Sequence, residues 1–189
     1  MIVGLLLAAG LSRRMGKAKL LLPLEGKPLV RWSAEGLRAH VDQVVVVTPP
    51  DADALRAALE GVDVTFVVNE HPEAGQGTSI AAGARALAAS SDAVVIALGD
   101  QPRLPAGLVT RLLETFERAE KPIVAPVYQG TQGTPVIFAA SLFDELRALE
   151  GDAGARALVR RDPSRVAAVA IDAPMPADVD TPEDYARLV

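Results

Sequence analysis

Cysteine is absent from the 189-residue chain, which excludes disulfides, thiol nucleophiles, iron–sulfur clusters and cysteine zinc sites. Histidine is nearly absent: His40 and His71 stand far apart and match no metal-ligand spacing. One Trp, two Tyr and four Phe leave little for a base-stacking platform of the RNA-binding kind. A basic surplus is also missing. The 19 Lys and Arg are outnumbered by 24 Asp and Glu, for a net charge of −5, with no run of like charges. A protein that neutralises a polyphosphate backbone over many contacts is usually more basic, so no nucleic-acid partner is expected. A small phosphorylated ligand needs only a local basic cluster.

Half of the residues are apolar and 23% are charged, enough for a sizeable core and against global disorder. Basic residues are 15 Arg against four Lys, and there is one Asn. The length favours one domain; with no Pro-, Gly- or Ser-rich linker and no internal repeat, residues 1–189 are read as a single domain. The opening MIVGLLLAAGLS looks superficially like a signal-peptide core, but its cations, Arg13, Arg14, Lys17 and Lys19, follow the apolar run instead of preceding it. The run is also far shorter than the roughly 20 residues that span a bilayer. It reads as a buried first strand, and the protein as cytoplasmic with no membrane partner.

Continuous apolar runs at Ile2–Ala8, Gln43–Thr48, Val64–Val68, Ala93–Leu98 and Ile123–Val127 predict strands buried on both faces. Between them, Pro28–Ala39, Ala52–Leu59, Thr78–Ala89 and Pro105–Arg118 carry apolar residues at helical intervals. This alternation predicts a doubly wound, mostly parallel sheet. A strand at Thr134–Phe138, helices at Ser141–Leu149 and Gly154–Arg161, a strand at Arg165–Ile171 and a short helix from Pro182 complete the reading.

The first strand runs into LAAGLSRRMGKAK, residues 7–19. In an open parallel sheet, ligands sit beyond the carboxyl ends of the strands. Ala8, Ala9 and Gly10 allow close approach to backbone amides that can donate to an anion, and four cations follow within seven residues. The loop lacks the G-x-G-x-x-G of dinucleotide-binding folds. It also departs from the Walker A pattern, with a five-residue spacer and Ala18 where a hydroxyl would reach magnesium. A nicotinamide enzyme and a P-loop NTPase are both disfavoured.

The stretch LAAGLSRRMGKAK resembles the loop of the nucleotidyltransferases built like the molybdenum cofactor guanylyl- and cytidylyltransferases. GQGTSIAAG (75–83), LGDQP (98–102), GDAGAR (151–156) and DVDTPEDY (178–185) are similar to the cytidylyltransferase branch. The motifs occur in the expected order and span most of the chain. QGTP (132–135) departs, with Thr134 where the family often has Asn or His, a difference that bears on the acceptor. The resemblance implies a three-layer α/β/α sandwich, Rossmann-like, with a mostly parallel sheet of about seven strands, as in nucleotide-diphospho-sugar transferases. The implied reaction moves CMP from CTP to the phosphate of molybdopterin cofactor and releases pyrophosphate, for the maturation of molybdenum hydroxylases. A hydroxylase or its chaperone is then a transient partner.

Asp100 follows an apolar strand with no basic neighbour in sequence, which suits Mg2+; a helix cap or Asx turn before Pro102 is the alternative. The resemblance selects Asp180 as its metal partner, although Asp180-Thr181-Pro182-Glu183 also reads as a helix start. Leu7, Ala8, Ala9 and Gly10 are assigned to the nucleotide, and Arg14 and Lys19 to charge neutralisation in catalysis. By resemblance, Gly75, Thr78 and Ser79 contribute to nucleotide recognition, although Thr78 or Ser79 can equally cap a helix. Asp152 and Arg156 suit an acceptor with phosphate or pterin-like polar edges, or form a surface salt bridge. The competing readings are a guanylyltransferase, a transferase for another phosphorylated metabolite, and a non-catalytic nucleotide-binding chaperone that delivers the cofactor.

Overall fold

A computed structural model describes residues 1–10 and 18–189. In chain order the strands are β1 (Ile2–Leu7), β2 (Pro23–Leu24), β3 (Lys27–Pro28), β4 (Gln43–Thr48), β5 (Thr65–Val68), β6 (Ala93–Leu98), β7 (Ile123–Tyr128), β8 (Thr131–Gln132), β9 (Val136–Ala139) and β10 (Val166–Ile171). The helices are α1 (Leu29–Arg38), α2 (Asp53–Ala58), α3 (Gln76–Arg85), α4 (Leu108–Arg118), α5 (Phe143–Arg147), α6 (Ala155–Arg161) and α7 (Pro182–Leu188). The main sheet has the order β10-β7-β9-β6-β1-β4-β5, with β8 paired to β7. β1 pairs in parallel with both β4 and β6, β4 with β5, and β7 with β10; β9 is antiparallel to β6 and β7.

Strict alternation along each central strand feeds two cores. In β1 and the two residues after it, Val3, Leu5, Leu7 and Ala9 pack with α3, α5 and α6 through Ile80, Leu146 and Leu158. Leu6 and Ala8 face the opposite layer, with Val30, Leu55 and Leu112 of α1, α2 and α4. Both faces of the sheet are therefore covered, as an uninterrupted apolar strand requires. The chain winds outward from β1 through β4 to β5 and then returns to β6 on the other side of β1. That reversal creates a crevice at the carboxyl ends of β1 and β6, where open α/β sheets bind ligands.

The expected strands and helices are present, with ends shifted by a few residues. The β2–β3 hairpin and β8, two residues per strand, are additions that no periodicity announces. α3 starts earlier than expected, at Gln76, so Thr78 and Ser79 lie inside its first turn instead of capping it. Gly75 precedes it with φ +109°, a conformation open to glycine at little cost.

Close backbone approach joins α3 to the loop before α6. The Gly77 amide donates to the Gly151 carbonyl at 2.8 Å. A Cβ on Gly77 would meet the Glu150 and Gly151 carbonyl oxygens at 2.7 and 2.8 Å. Gly77→Ala should therefore lower stability by about 1–3 kcal/mol. Gly36→Ala, on the exposed side of α1 with no atom within 4 Å of its Cβ, should leave stability unchanged or raise it by up to about 1 kcal/mol. Thermal melts of the two variants against the parent check both signs.

Candidate active site

β1 delivers Leu7, Ala9 and Gly10 to a cavity of about 280 Å³ that is also lined by Lys19, Ser79, Asp100, Asp178 and Asp180. Ala8 packs into the opposite core, and its amide donates to Val47 O at 2.8 Å. The Ala8 amide expected to face an anion is thus committed to the backbone of β4. Arg13, Arg14 and Lys17 lie outside the described residues. A 3₁₀ turn over Lys19–Leu21 then brings Lys19 back to the carboxyl edge of the sheet.

Lys19 is buried, 8% exposed, and its ammonium donates to Asp100 Oδ2 at 2.5 Å and Asp180 Oδ1 at 2.7 Å. Burial alone would lower the Lys19 pKa; the charges and hydrogen bonds of Asp100 and Asp180 outweigh it and hold the group above its ordinary value. Asp100 does have a basic partner, contrary to its sequence neighbourhood. It sits beyond β6, where the Gly99 amide donates to Leu7 O at 3.0 Å and ties the ends of β1 and β6 together.

Asp180 is released from helix capping by its neighbour. Thr181 is the N-cap of α7: its hydroxyl accepts from the Asp184 amide, while the Asp184 carboxylate accepts from the Thr181 amide. Between Asp178 and Asp180, Val179 is 1% exposed and packs with Leu24, Leu29 and Trp32. The Val179 amide donates to Asp100 O at 3.3 Å. This apolar plug anchors the segment between two carboxylates that both line the cavity. Asp178 keeps exposed surface, yet the protein atoms around its carboxylate, then the negative charge of Asp100, raise its pKa; the Gln101 hydrogen bond opposes the rise.

At the start of α3, Asn69 supplies a contact that the sequence reading missed. Buried beyond β5, its amide nitrogen donates to Thr78 Oγ1 and Ser79 Oγ, both at 2.9 Å, and its oxygen accepts from the His71 amide at 3.0 Å. The Thr78 hydroxyl reaches the Gly75 and His71 carbonyls, so Thr78 braces the turn, whereas Ser79 lines the cavity. Gly75 shapes the same turn by close packing on Gly151. That Asn69 is the only asparagine, placed directly after a strand, was the available clue.

A second cavity, about 410 Å³, shares Leu7, Gln76, Leu98 and Asp178 with the first and adds Thr134, Asp152, Arg156 and Arg160. Asp152 and Arg156 are thus brought to one wall. Among the described residues they form no ion pair with each other. Neither histidine lines these two cavities.

Residues 4–168 match the MobA-like NTP transferase domain. The chain is 33% identical to the purine catabolism protein PucB of Bacillus subtilis, over 97% of this chain and 94% of that one. It is 34% identical to the nicotine blue oxidoreductase of Paenarthrobacter nicotinovorans, over 100% and 96% of the two chains. A molybdenum cofactor guanylyltransferase of Cereibacter sphaeroides is 40% identical over 58% of this chain and 55% of its own. Rv0371c of Mycobacterium tuberculosis, solved in complex with manganese, superposes with a TM-score of 0.82 at 31% identity, covering 99% of this chain and 97% of that one. With its sheet order, its crevice at the carboxyl ends of β1 and β6 and a match over most of its length, the chain belongs to the MobA-like NTP transferase family.

Proposed function

We propose that this nucleotidyltransferase moves CMP from CTP to the phosphate of molybdopterin cofactor and releases pyrophosphate, with residues 1–189 acting as one catalytic unit. The observation that carries this reading is the pair of adjoining cavities, with Lys19, Asp100 and Asp180 in the first and Arg156 and Arg160 in the second. Two phosphorylated substrates placed in them meet at the shared wall. An oxygen of the acceptor phosphate attacks the α-phosphorus, the bond from that phosphorus to the bridging oxygen breaks, and pyrophosphate leaves. The nucleophile is already anionic near neutral pH, so a site without histidine is adequate; positioning and charge neutralisation supply most of the catalysis.

Asp100 and Asp180 fit a divalent ion, because their carboxylates converge on a single point, now marked by the Lys19 ammonium. Magnesium uses one or two protein carboxylates and takes its other ligands from phosphate and water, and the manganese complex of Rv0371c supports a metal of this class. Asp100 and Asp180 would hold such an ion, which would supply countercharge to the triphosphate and to the leaving pyrophosphate. Lys19 turns from the carboxylates to the phosphates as they arrive, and Arg14 is read as a second phosphate contact. Ser79, Gly75 and Ala9 bound the nucleotide, and Asp152 and Arg156 the acceptor. The expected setting is the cytoplasm, with a molybdenum hydroxylase or its chaperone as recipient.

The guanylyl alternative has the name of the Cereibacter relative in its favour. Against it stands Ala9, which is 3% exposed and lines the first cavity: the cytidylyl branch resembles Leu7-Ala8-Ala9-Gly10, where the guanylyl branch carries a second glycine. A methyl group here removes space that a purine would use. One methyl discriminates by about 10–200-fold, so kcat/KM should favour CTP over GTP, and Ala9→Gly should narrow the gap. The assay supplies magnesium, each of the four nucleoside triphosphates and molybdenum cofactor, then reads pyrophosphate and product mass. Equal use of GTP contradicts the cytidylyl reading; absence of pyrophosphate favours the delivery chaperone.

Lys19 supports fold and transfer together. Lys19→Met removes the ammonium that Asp100 and Asp180 share. Because Asp180 is about one-third exposed, the loss should be on the order of 1–3 kcal/mol, less than for a fully buried pair. At about 2–4 °C per kcal/mol for a chain of this size, the metal-free melting temperature falls by several degrees. Transfer should drop on the order of a hundredfold or more. An unchanged melt, or full activity, would contradict this dual role.

A further inference from the structure

Gln101 lies one residue beyond Asp100 and is almost fully buried, at 3% exposure. Its side-chain amide is engaged at both ends. Nε2 donates to Asp178 Oδ1 at 2.7 Å, and Oε1 accepts from Thr134 Oγ1 at 2.6 Å. The Thr134 carbonyl in turn accepts from the Tyr128 hydroxyl at 3.0 Å. These bonds run in one direction only: an amide presents a donor to a carboxylate and an acceptor to a hydroxyl. They also join three segments that are remote in sequence, since 77 residues separate Gln101 from Asp178 and 33 separate it from Thr134.

The Asp178–Asp180 segment belongs to no helix or strand; besides the burial of Val179 and the amide hydrogen bonds of Val179 to Asp100 O and of Asp180 to Asp184 Oδ2, its position depends on side-chain ties. Lys19 holds Asp180 from one side, and Gln101 holds Asp178 from the other. Asp178 and Thr134 both line the second cavity, and Asp178 lines the first as well. A tie at this point sets the separation of the two cavities and the placement of Asp180 relative to Asp100. We infer that Gln101 is a positioning residue for nucleotidyl transfer, acting through Asp178 and Thr134 to hold the carboxylate segment and the acceptor wall in register. The inference rests on the transferase reading above and assigns Gln101 no contact with substrate.

Three variants test it against a direct role of Asp178. Gln101→Met keeps the approximate volume and cuts both ties. Asp178→Asn keeps the tie, because its side-chain oxygen still accepts from Gln101. Gln101→Glu combined with Asp178→Asn reverses the tie: the new amide donates to the new carboxylate, which still accepts from Thr134, and the formal charge of the pair is preserved. Transfer is followed by pyrophosphate release with CTP and molybdenum cofactor, and manganese affinity is titrated with CTP present and acceptor absent. Gln101→Met should lower kcat on the order of a hundredfold, as expected for misplacement of reacting groups by about 1 Å, with little change in KM for CTP, and should weaken manganese binding. Asp178→Asn and the reversed pair should stay within severalfold of the parent in both measurements. Parent-like kcat in Gln101→Met overturns the inference. So does an Asp178→Asn protein that loses transfer and is not recovered by the reversed pair, because the Asp178 charge then acts directly. A parent protein that releases no pyrophosphate contradicts the transferase reading itself, and the inference falls with it.

Discussion

The ammonium of Lys19 sits between two carboxylates, Asp100 and Asp180, that enter the site from opposite parts of the chain. Two acidic groups this close repel one another unless a cation lies between them, and the surrounding cavity gives less screening than open water. The contact therefore has two consequences. It closes the irregular segment after β10 against the end of β6, and it keeps the carboxylates converged on one point before any substrate arrives. Preorganisation of this kind is what transfer between two phosphorylated substrates requires, because the protein contributes mainly position and countercharge.

The packing around that contact serves the same purpose. Val179 is buried with Leu24, Leu29 and Trp32, so the residues on either side of it are held at the cavity. Thr181 and Asp184 satisfy the start of α7 between themselves and release Asp180 for Lys19. On the other side of the crevice, Gly75 and Gly77 let α3 meet the backbone at Gly151, while Asn69 fixes Ser79 at the cavity wall. The site is thus an assembly of short irregular segments, each anchored by a buried group, around the cavity that Leu7 of β1 and Leu98 of β6 also line.

The sheet was readable from the sequence because parallel strands buried on both faces are continuous apolar runs, as in Gln43–Thr48 and Ala93–Leu98, whose observed ends coincide with the expected ones. Two-residue strands such as β8 carry no such pattern. Asp100, Asp180, Lys19 and Ser79 were selected by motif, and the structure brings them to one cavity. The pairing of Lys19 with Asp100 and Asp180 was not readable, since 81 and 161 residues separate the partners. The start of α7 was readable in Asp180-Thr181-Pro182-Glu183, but that pattern alone says neither that Thr181 is the cap nor where Asp180 points. Gln101 and Asn69 were overlooked because a buried amide is identified by its partners, and those partners meet only after folding.

On the mechanism proposed above, Lys19 stands where a divalent cation would be held during catalysis, and the two would compete for Asp100 and Asp180. Manganese titration of the nucleotide-free protein, read calorimetrically, tests this most directly. Lys19→Met should bind manganese at least about tenfold more tightly than the parent, equivalent to roughly 1.4 kcal/mol, and adding Asp100→Asn or Asp180→Asn should remove the gain. Lys19→Met binding no more tightly than the parent, or a gain that survives loss of either carboxylate, would contradict the account.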